Sequence, residues 1–203
     1  MVGAGRLERF LRALKILTRD MPQPMCTFLA QKYDKDPFVI LIACLLSLRT
    51  RDTSALPVVE KLLVRARDPR SILDITQRDL EKMVFSLGFY HQKARTMRVV
   101  CQELIDRFGG KVPDNFDALV SLTGVGGKTA NLVLAESFDV PALAVDTHVH
   151  RLANKWGLVA TKTPEQTELA LKKIVPQKHW REINRLMVMC GQNKCDVGHL
   201  LHF

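Results

Sequence analysis

An all-α fold is what this 203-residue sequence predicts, on three observations. Apolar residues recur at helical spacing along almost the whole chain. Cap residues, prolines and glycines punctuate those stretches where helices should start and stop. Strand signal is confined to "PALAV", residues 141–145, a short run with no evident pairing partner.

The first helix is marked by the stripe Leu7, Phe10, Leu11, Leu14 and Leu17. Asp36 and Pro37 supply an N-cap and an N1 proline for the apolar "FVILIACLL" that follows. Thr76 with Asp79 opens another helix, and Gly88, after "MVFSL", closes it. "LTGVGGKTA", Leu122 to Ala130, reads as the end of a helix, a tight glycine hairpin and the start of a second helix. Asp146, in "AVDTHVHRLANKWG", caps an amphipathic helix that Gly157 ends. Thr163, Pro164 and Gln166 make a capping box with proline at N1, and Pro176 stops that helix. Roughly ten helices are expected, with no low-complexity linker and no repeat.

The chain carries 30 Lys+Arg against 21 Asp+Glu, a net charge of +9. Such a balance favours a polyanionic partner, nucleic acid first. Five cysteines, at 26, 44, 101, 190 and 195, are odd in number and irregularly spaced, which suits a reducing compartment. The longest apolar run, Phe38 to Leu46, is nine residues, against the roughly 20 a membrane span needs. The N-terminus lacks the apolar core of a secretory signal. A cytoplasmic protein with no membrane contact is expected.

Two phosphate-binding patterns fail on the hairpin by spacing. G-x-x-x-x-G-K-[ST] fits Gly127, Lys128 and Thr129 but puts Leu122 where its first glycine must be. G-x-G-x-x-G fits Gly124 and Gly126 but puts Thr129 at its third glycine. What remains is a set of bared backbone N–H groups at a helix N-terminus, suited to holding a phosphate. Lys128 stands at that helix start. The electropositive N-terminus and desolvation both disfavour a cation, which would free the amine for attack. A plain surface lysine fits the same position. Asp146 fits an ordinary N-cap, and a carboxylate held there can also act as a base or stabilise a cation.

The hairpin with Lys128, followed 18 residues later by Asp146 of "VDTH", resembles the helix-hairpin-helix DNA glycosylases, specifically the endonuclease III branch. The resemblance extends from "FVILIACLLSLRTRD" through "LGFYHQKA" to "MVMCGQNKC". It implies two helical lobes with the active site in the cleft between them. Residues 30–140 would form a central bundle containing the hairpin, 122–128. Residues 1–29 plus 141–203 would form the other lobe. It also implies a monomeric, nucleoid-associated base-excision enzyme acting on duplex DNA with oxidised pyrimidines. Such an enzyme flips the damaged base out of the stack. Lys128 would attack the sugar C1′, Asp146 would assist departure of the base, and the Schiff base would permit β-elimination. Monofunctional relatives lack the lysine.

On the same resemblance, Gly124, Val125, Gly126 and Gly127 approach a DNA phosphate, and His91, Thr147 and His148 make further DNA contacts. A monovalent cation would sit on the carbonyls of Val120, Leu122 and Val125. Arg49 stands where the family often has a glutamine that fills the gap left by the flipped base, and Phe89 where an apolar wedge enters the stack. On the residues alone they read equally well as a surface arginine and a core phenylalanine. Both changes leave open removal of mismatched thymine or uracil. A non-catalytic DNA-binding module would also use the hairpin, but would have no use for Lys128 and Asp146 together.

The largest departure is C-terminal. The family's [4Fe–4S] ligands follow C-x6-C-x2-C-x5-C, and Cys195 stands at the first position while the second falls on His202. No iron–sulfur cofactor is therefore expected; a cluster-free member or a shortened chain would both read this way, and the first is the favoured reading. Cys190, Cys195, His199 and His202 form a C-x4-C-x3-H-x2-H pattern whose spacing is unlike the usual zinc pairs. His148 and His150, two apart on a helix, point in different directions.

Overall fold

Every regular element is helical among the described residues, 4–193 and 195, of this computed structural model. In chain order they are α1 (Ala4–Leu17), α2 (Met25–Lys32), α3 (Pro37–Ser47), α4 (Asp52–Arg65), α5 (Pro69–Leu73), α6 (Gln77–Val84), α7 (Tyr90–Phe108), α8 (Phe116–Val120), α9 (Gly127–Ser137), α10 (Thr147–Lys155), α11 (Pro164–Ile174), a 3-10 turn (Gln177–His179) and α12 (Trp180–Gln192). The chain divides into two units: a central one, Met25–Asp139, and a terminal one joining Met1–Pro24 to Val140–Phe203.

The central unit is organised by α3. Its residues Phe38 to Leu46 are all buried, as expected of a helix apolar on every side. Neighbours surround it, with α2, α4, α7 and α9 all packing on α3. Its start is fixed by Asp36, whose carboxylate accepts the N–H groups of Phe38 and Val39 at 2.8 and 3.3 Å, with Pro37 at N1. Residues 25–29 belong to this unit because α2 runs through them and packs on α3 and α9. A buried bond from Thr27 Oγ1 to Glu136 Oε1, 3.0 Å, ties α2 to α9. Helices α5 and α6 cover α7.

In the terminal unit, Leu7, Phe10, Leu11 and Leu14 of α1 enter a core shared with α10, α11 and α12. Phe10 meets Trp156 edge to face at 5.7 Å. Residues 141–145 form no strand. Ala142 to Val145 are buried as an irregular connection, with Leu143 and Val145 in the core, so their apolar character serves packing and not pairing. The capping box at Thr163 is shifted by one residue. Thr163 Oγ1 accepts the Gln166 N–H at 3.3 Å, while Gln166 Oε1 accepts the N–H of Lys162, not of Thr163, at 2.9 Å.

The cysteines depart from the all-reduced expectation. Cys26, Cys44 and Cys101 are free and buried, but Cys190 and Cys195 are joined in a disulfide, Cα to Cα 4.9 Å. The two residues sit at the end of α12 and just beyond it, close enough for their sulfurs to meet. Paired in this way, neither offers a thiolate to a metal. His199 and His202 lie outside the described residues. No helix among those described is long and apolar enough to cross a membrane.

Candidate active site

The hairpin lies between α8 and α9 of the central unit. Its turn is braced from α7: Glu103 accepts the Thr123 N–H and hydroxyl at 2.8 and 2.7 Å, and Arg107 Nη1 donates to the Ser121 carbonyl at 3.2 Å. The three glycines answer to different demands. Gly124 has φ +77°, and a Cβ there would stand 2.7 Å from Thr96 Cγ2, so conformation and space both require glycine. Gly126 and Gly127 have ordinary backbone angles for any residue. A Cβ on Gly126 would meet nothing within 4 Å, and one on Gly127 would touch Phe116 at an ordinary 3.6 Å. The fold does not need these two to be glycine. Their bareness leaves room for something outside the chain to approach the backbone.

Gly126 is the N-cap of α9 and, lacking a side chain, makes no capping bond. The first-turn N–H groups therefore receive no help from their own cap. Lys128, second in the helix, is exposed, and so the desolvation expected of it does not hold in the free protein. At the start of α9, Gly127 and Lys128 are exposed while Thr129, Ala130 and Asn131 are buried. Lys128 lies within electrostatic reach of Cys26. That thiol is pushed well above its ordinary range, chiefly by contact with Cys44 at 3.6 Å and by burial, against a smaller opposing pull from Lys128. Of the carbonyls expected to hold a cation, that of Leu122 already accepts the Val125 N–H at 3.1 Å.

Asp146 caps α10 in the terminal unit. Half-buried, it accepts the Val149 N–H at 2.8 Å through one carboxylate oxygen, Oδ1. Thr147 is exposed and His148 half-buried. His148 packs on Gly191 of α12, where a Cβ would come within 2.6 Å of the histidine Cβ.

The structure brings Arg49 and Phe89 together. Ser47 to Thr50 form a type II turn, with Leu48 at φ −54°, ψ 120° and the Thr50 N–H donating to the Ser47 carbonyl at 2.9 Å. Arg49 takes the third position at φ +54°, a place that favours glycine. Phe89, the N-cap of α7, is also left-handed, φ +59°, and is 65 % exposed, so it is no core phenylalanine. The Arg49 guanidinium stands 5.7 Å from the Phe89 ring centre. Arg49 and Phe89 are thus two exposed, left-handed, non-glycine residues that face each other. His91 stacks on Tyr90 at 4.0 Å and pairs with Glu81 at 2.9 Å. The amide of Gln77 first, and His91 after it, hold the Glu81 carboxyl below its ordinary range.

Sequence reasoning missed Thr50 and Lys93. Lys93 is 6 % exposed and its Nζ lies 2.5 Å from Thr50 Oγ1. A signal was present: Lys93 occupies a core position in the α7 stripe continued by Met97, Val100, Cys101 and Leu104.

Residues 42–177 match the family model of the HhH-GPD superfamily base excision DNA repair proteins. Endonuclease III of Thermotoga maritima is 44% identical over 162 residues, 80% of this chain and 76% of that protein. Endonuclease III of Escherichia coli is 33% identical over 187 residues, 91% of this chain and 87% of that protein. Among solved structures, a trapped covalent intermediate of endonuclease III with DNA superposes with a TM-score of 0.83 at 31% identity. It covers 97% of this chain and 89% of that one.

Proposed function

Because the chain belongs to the HhH-GPD superfamily of base-excision DNA repair proteins and, within it, to the endonuclease III family, we propose that it is a monomeric bifunctional glycosylase acting on oxidised pyrimidines in duplex DNA. The observation that carries this reading is Lys128, exposed in the first turn of a helix whose cap is a bare glycine. Gly126 and Gly127 leave the backbone amides open to a DNA phosphate, which sets the sugar beside the lysine.

The chemistry then runs through two residues. The Asp146 carboxylate takes a proton from the Lys128 ammonium, and the free amine attacks C1′ of the flipped nucleotide. The bond from C1′ to the base breaks, and the base leaves with the bonding electrons and a proton. The amine nitrogen then pushes open the C1′–O4′ bond, O4′ takes a proton, and the C1′=N iminium that forms acidifies the C2′ hydrogen; removal of that hydrogen expels the 3′ phosphate and nicks the strand. Arg49 fills the space the base vacates and Phe89 enters the stack beside it. Thr147 and His148 contact the backbone near Asp146, and His91 the strand near Phe89.

Arg49 also supports a second reading, removal of thymine or uracil from mismatches, because it replaces the family's frequent glutamine at the position facing the vacated gap. Duplexes carrying an oxidised pyrimidine, a T:G or a U:G pair decide between the two. The first reading expects release of the oxidised base with concurrent nicking. Release confined to T:G or U:G would replace it with the second. Release without nicking, on any substrate, would remove the lyase step.

A further inference from the structure

The strained pair has a built support on its protein side. Lys93 lies one turn into α7, and its main-chain N–H donates to the carbonyl of Phe89 at 3.0 Å. Its side chain runs inward to the turn after α3, where Nζ meets Thr50 Oγ1 at 2.5 Å. One residue thus touches both loops, the Phe89 loop through its backbone and the Arg49 loop through its ammonium. Burial holds this lysine below its ordinary range. Placing a cationic group in such surroundings is costly, and a methionine or leucine would fill the same stripe at no such cost.

Left-handed backbone at a non-glycine residue costs about 1–2 kcal/mol and persists only where neighbouring structure imposes it. Arg49 and Phe89 are both exposed, so their own packing does little to hold them. The bond across Lys93 and Thr50 is placed to supply that constraint from behind. Resting on the glycosylase reading above, we propose that Lys93 and Thr50 form a lock that sets the distance between Arg49 and Phe89 before DNA arrives. In this role Lys93 is a positioning residue of the base-extrusion step and does not touch the reacting atoms. The hairpin phosphate contacts are separate, so the lock acts on turnover more than on binding.

The test compares Thr50→Val, which removes the hydroxyl, with Thr50→Ser, which keeps it; Lys93→Met and the Lys93→Met/Thr50→Val double variant complete the cycle. Two readouts are taken on the full chain: the fluorescence rise of 2-aminopurine placed opposite an abasic-site analogue, and kcat and KM for base release. The expected result is a fall in kcat of about 10- to 100-fold in Thr50→Val and Lys93→Met, with KM nearly unchanged and the fluorescence rise reduced in parallel. Thr50→Ser should behave as wild type, and the double variant should be no worse than either single. If Lys93→Met does not fold, the two Thr50 variants carry the comparison alone. Base release by wild type with Thr50→Val indistinguishable from it overturns the lock and leaves the functional reading standing. A wild type that neither releases a base nor unstacks 2-aminopurine overturns both.

Discussion

The helix starts at α9 and α10 have nearly the same backbone and opposite chemistry. Gly126 caps α9 at φ −94°, ψ 175°, and Asp146 caps α10 at φ −101°, ψ −175°. The first has no side chain and leaves its amides to a visitor. The second closes its own N-terminus with a carboxylate on Val149. In the proposed function one backbone device serves in one place to receive an anion and in the other to hold one in a defined orientation. On the proposed mechanism the received anion is a DNA phosphate, and the held one is the base that activates Lys128.

Exchanging the residues at these two starts should separate fold from function. Lys128→Ala has the largest expected effect. Strand nicking at an abasic site should fall on the order of 10⁴-fold, while the thermal midpoint stays put because the side chain is exposed. Asp146 comes next. Asparagine caps a helix about as well as aspartate, so Asp146→Asn should keep the stability that Asp146→Ala loses, about 1 kcal/mol by thermal or urea unfolding. Both should slow base release by about 10²- to 10⁴-fold, since neither can accept a proton. Loss of activity in Asp146→Ala alone would reduce the residue to a cap.

The glycines sharpen the same contrast. Gly124→Ala forces a Cβ into Thr96 at a left-handed position and should destabilise by about 1–3 kcal/mol. Gly127→Ala enters ordinary helical backbone and should stabilise by about 0.4–1 kcal/mol while weakening DNA binding in a filter or anisotropy assay. A protein made more stable and less able to bind would mark Gly127 as a residue kept for the ligand.

Much of this fold could be read from local chemistry, because caps and stripes are local signals. Asp36 with Pro37, Thr76 accepting the Asp79 N–H, and the Leu7 to Leu14 stripe all behave as their spacing indicates. Lys128 and Asp146 lie at helix starts as their spacing indicates, whereas the roles proposed for them rest on the family resemblance and not on local chemistry. What stayed hidden depends on contacts distant in sequence. Arg49 and Phe89 are 40 residues apart (89 − 49), and no periodicity announces that they touch. Lys93 broke the apolar stripe of α7, but its partner Thr50 belongs to another loop. "PALAV" carried strand-like composition, yet composition cannot supply a neighbouring strand. The exposure of Lys128 likewise depends on which side of α9 packs inward, the side of Thr129, Ala130 and Asn131, and local spacing does not announce that.

The smallest expected effect concerns the core behind these sites. Burial pushes the Cys101 thiol up to about 12. A raised folded-state value keeps the proton on, so the stability it contributes is complete below the ordinary value of 9.0 and declines as pH rises from there toward about 12. Cys101→Ala should flatten that part of the stability curve in urea titrations at pH 9 to 11, though it also lowers the whole curve by opening a small cavity. Native protein should leave Cys101 unmodified by thiol reagents at pH 8, because little thiolate is present and the side chain is buried.

The most direct measurement of the central claim is to mix the protein with duplex DNA containing an abasic site, add borohydride, and map any covalent adduct by mass spectrometry of the digested protein. The account predicts a reduced imine carried on Lys128, absent from Lys128→Ala. An adduct on another residue, or tight binding of this DNA with no adduct and no nick, would contradict it.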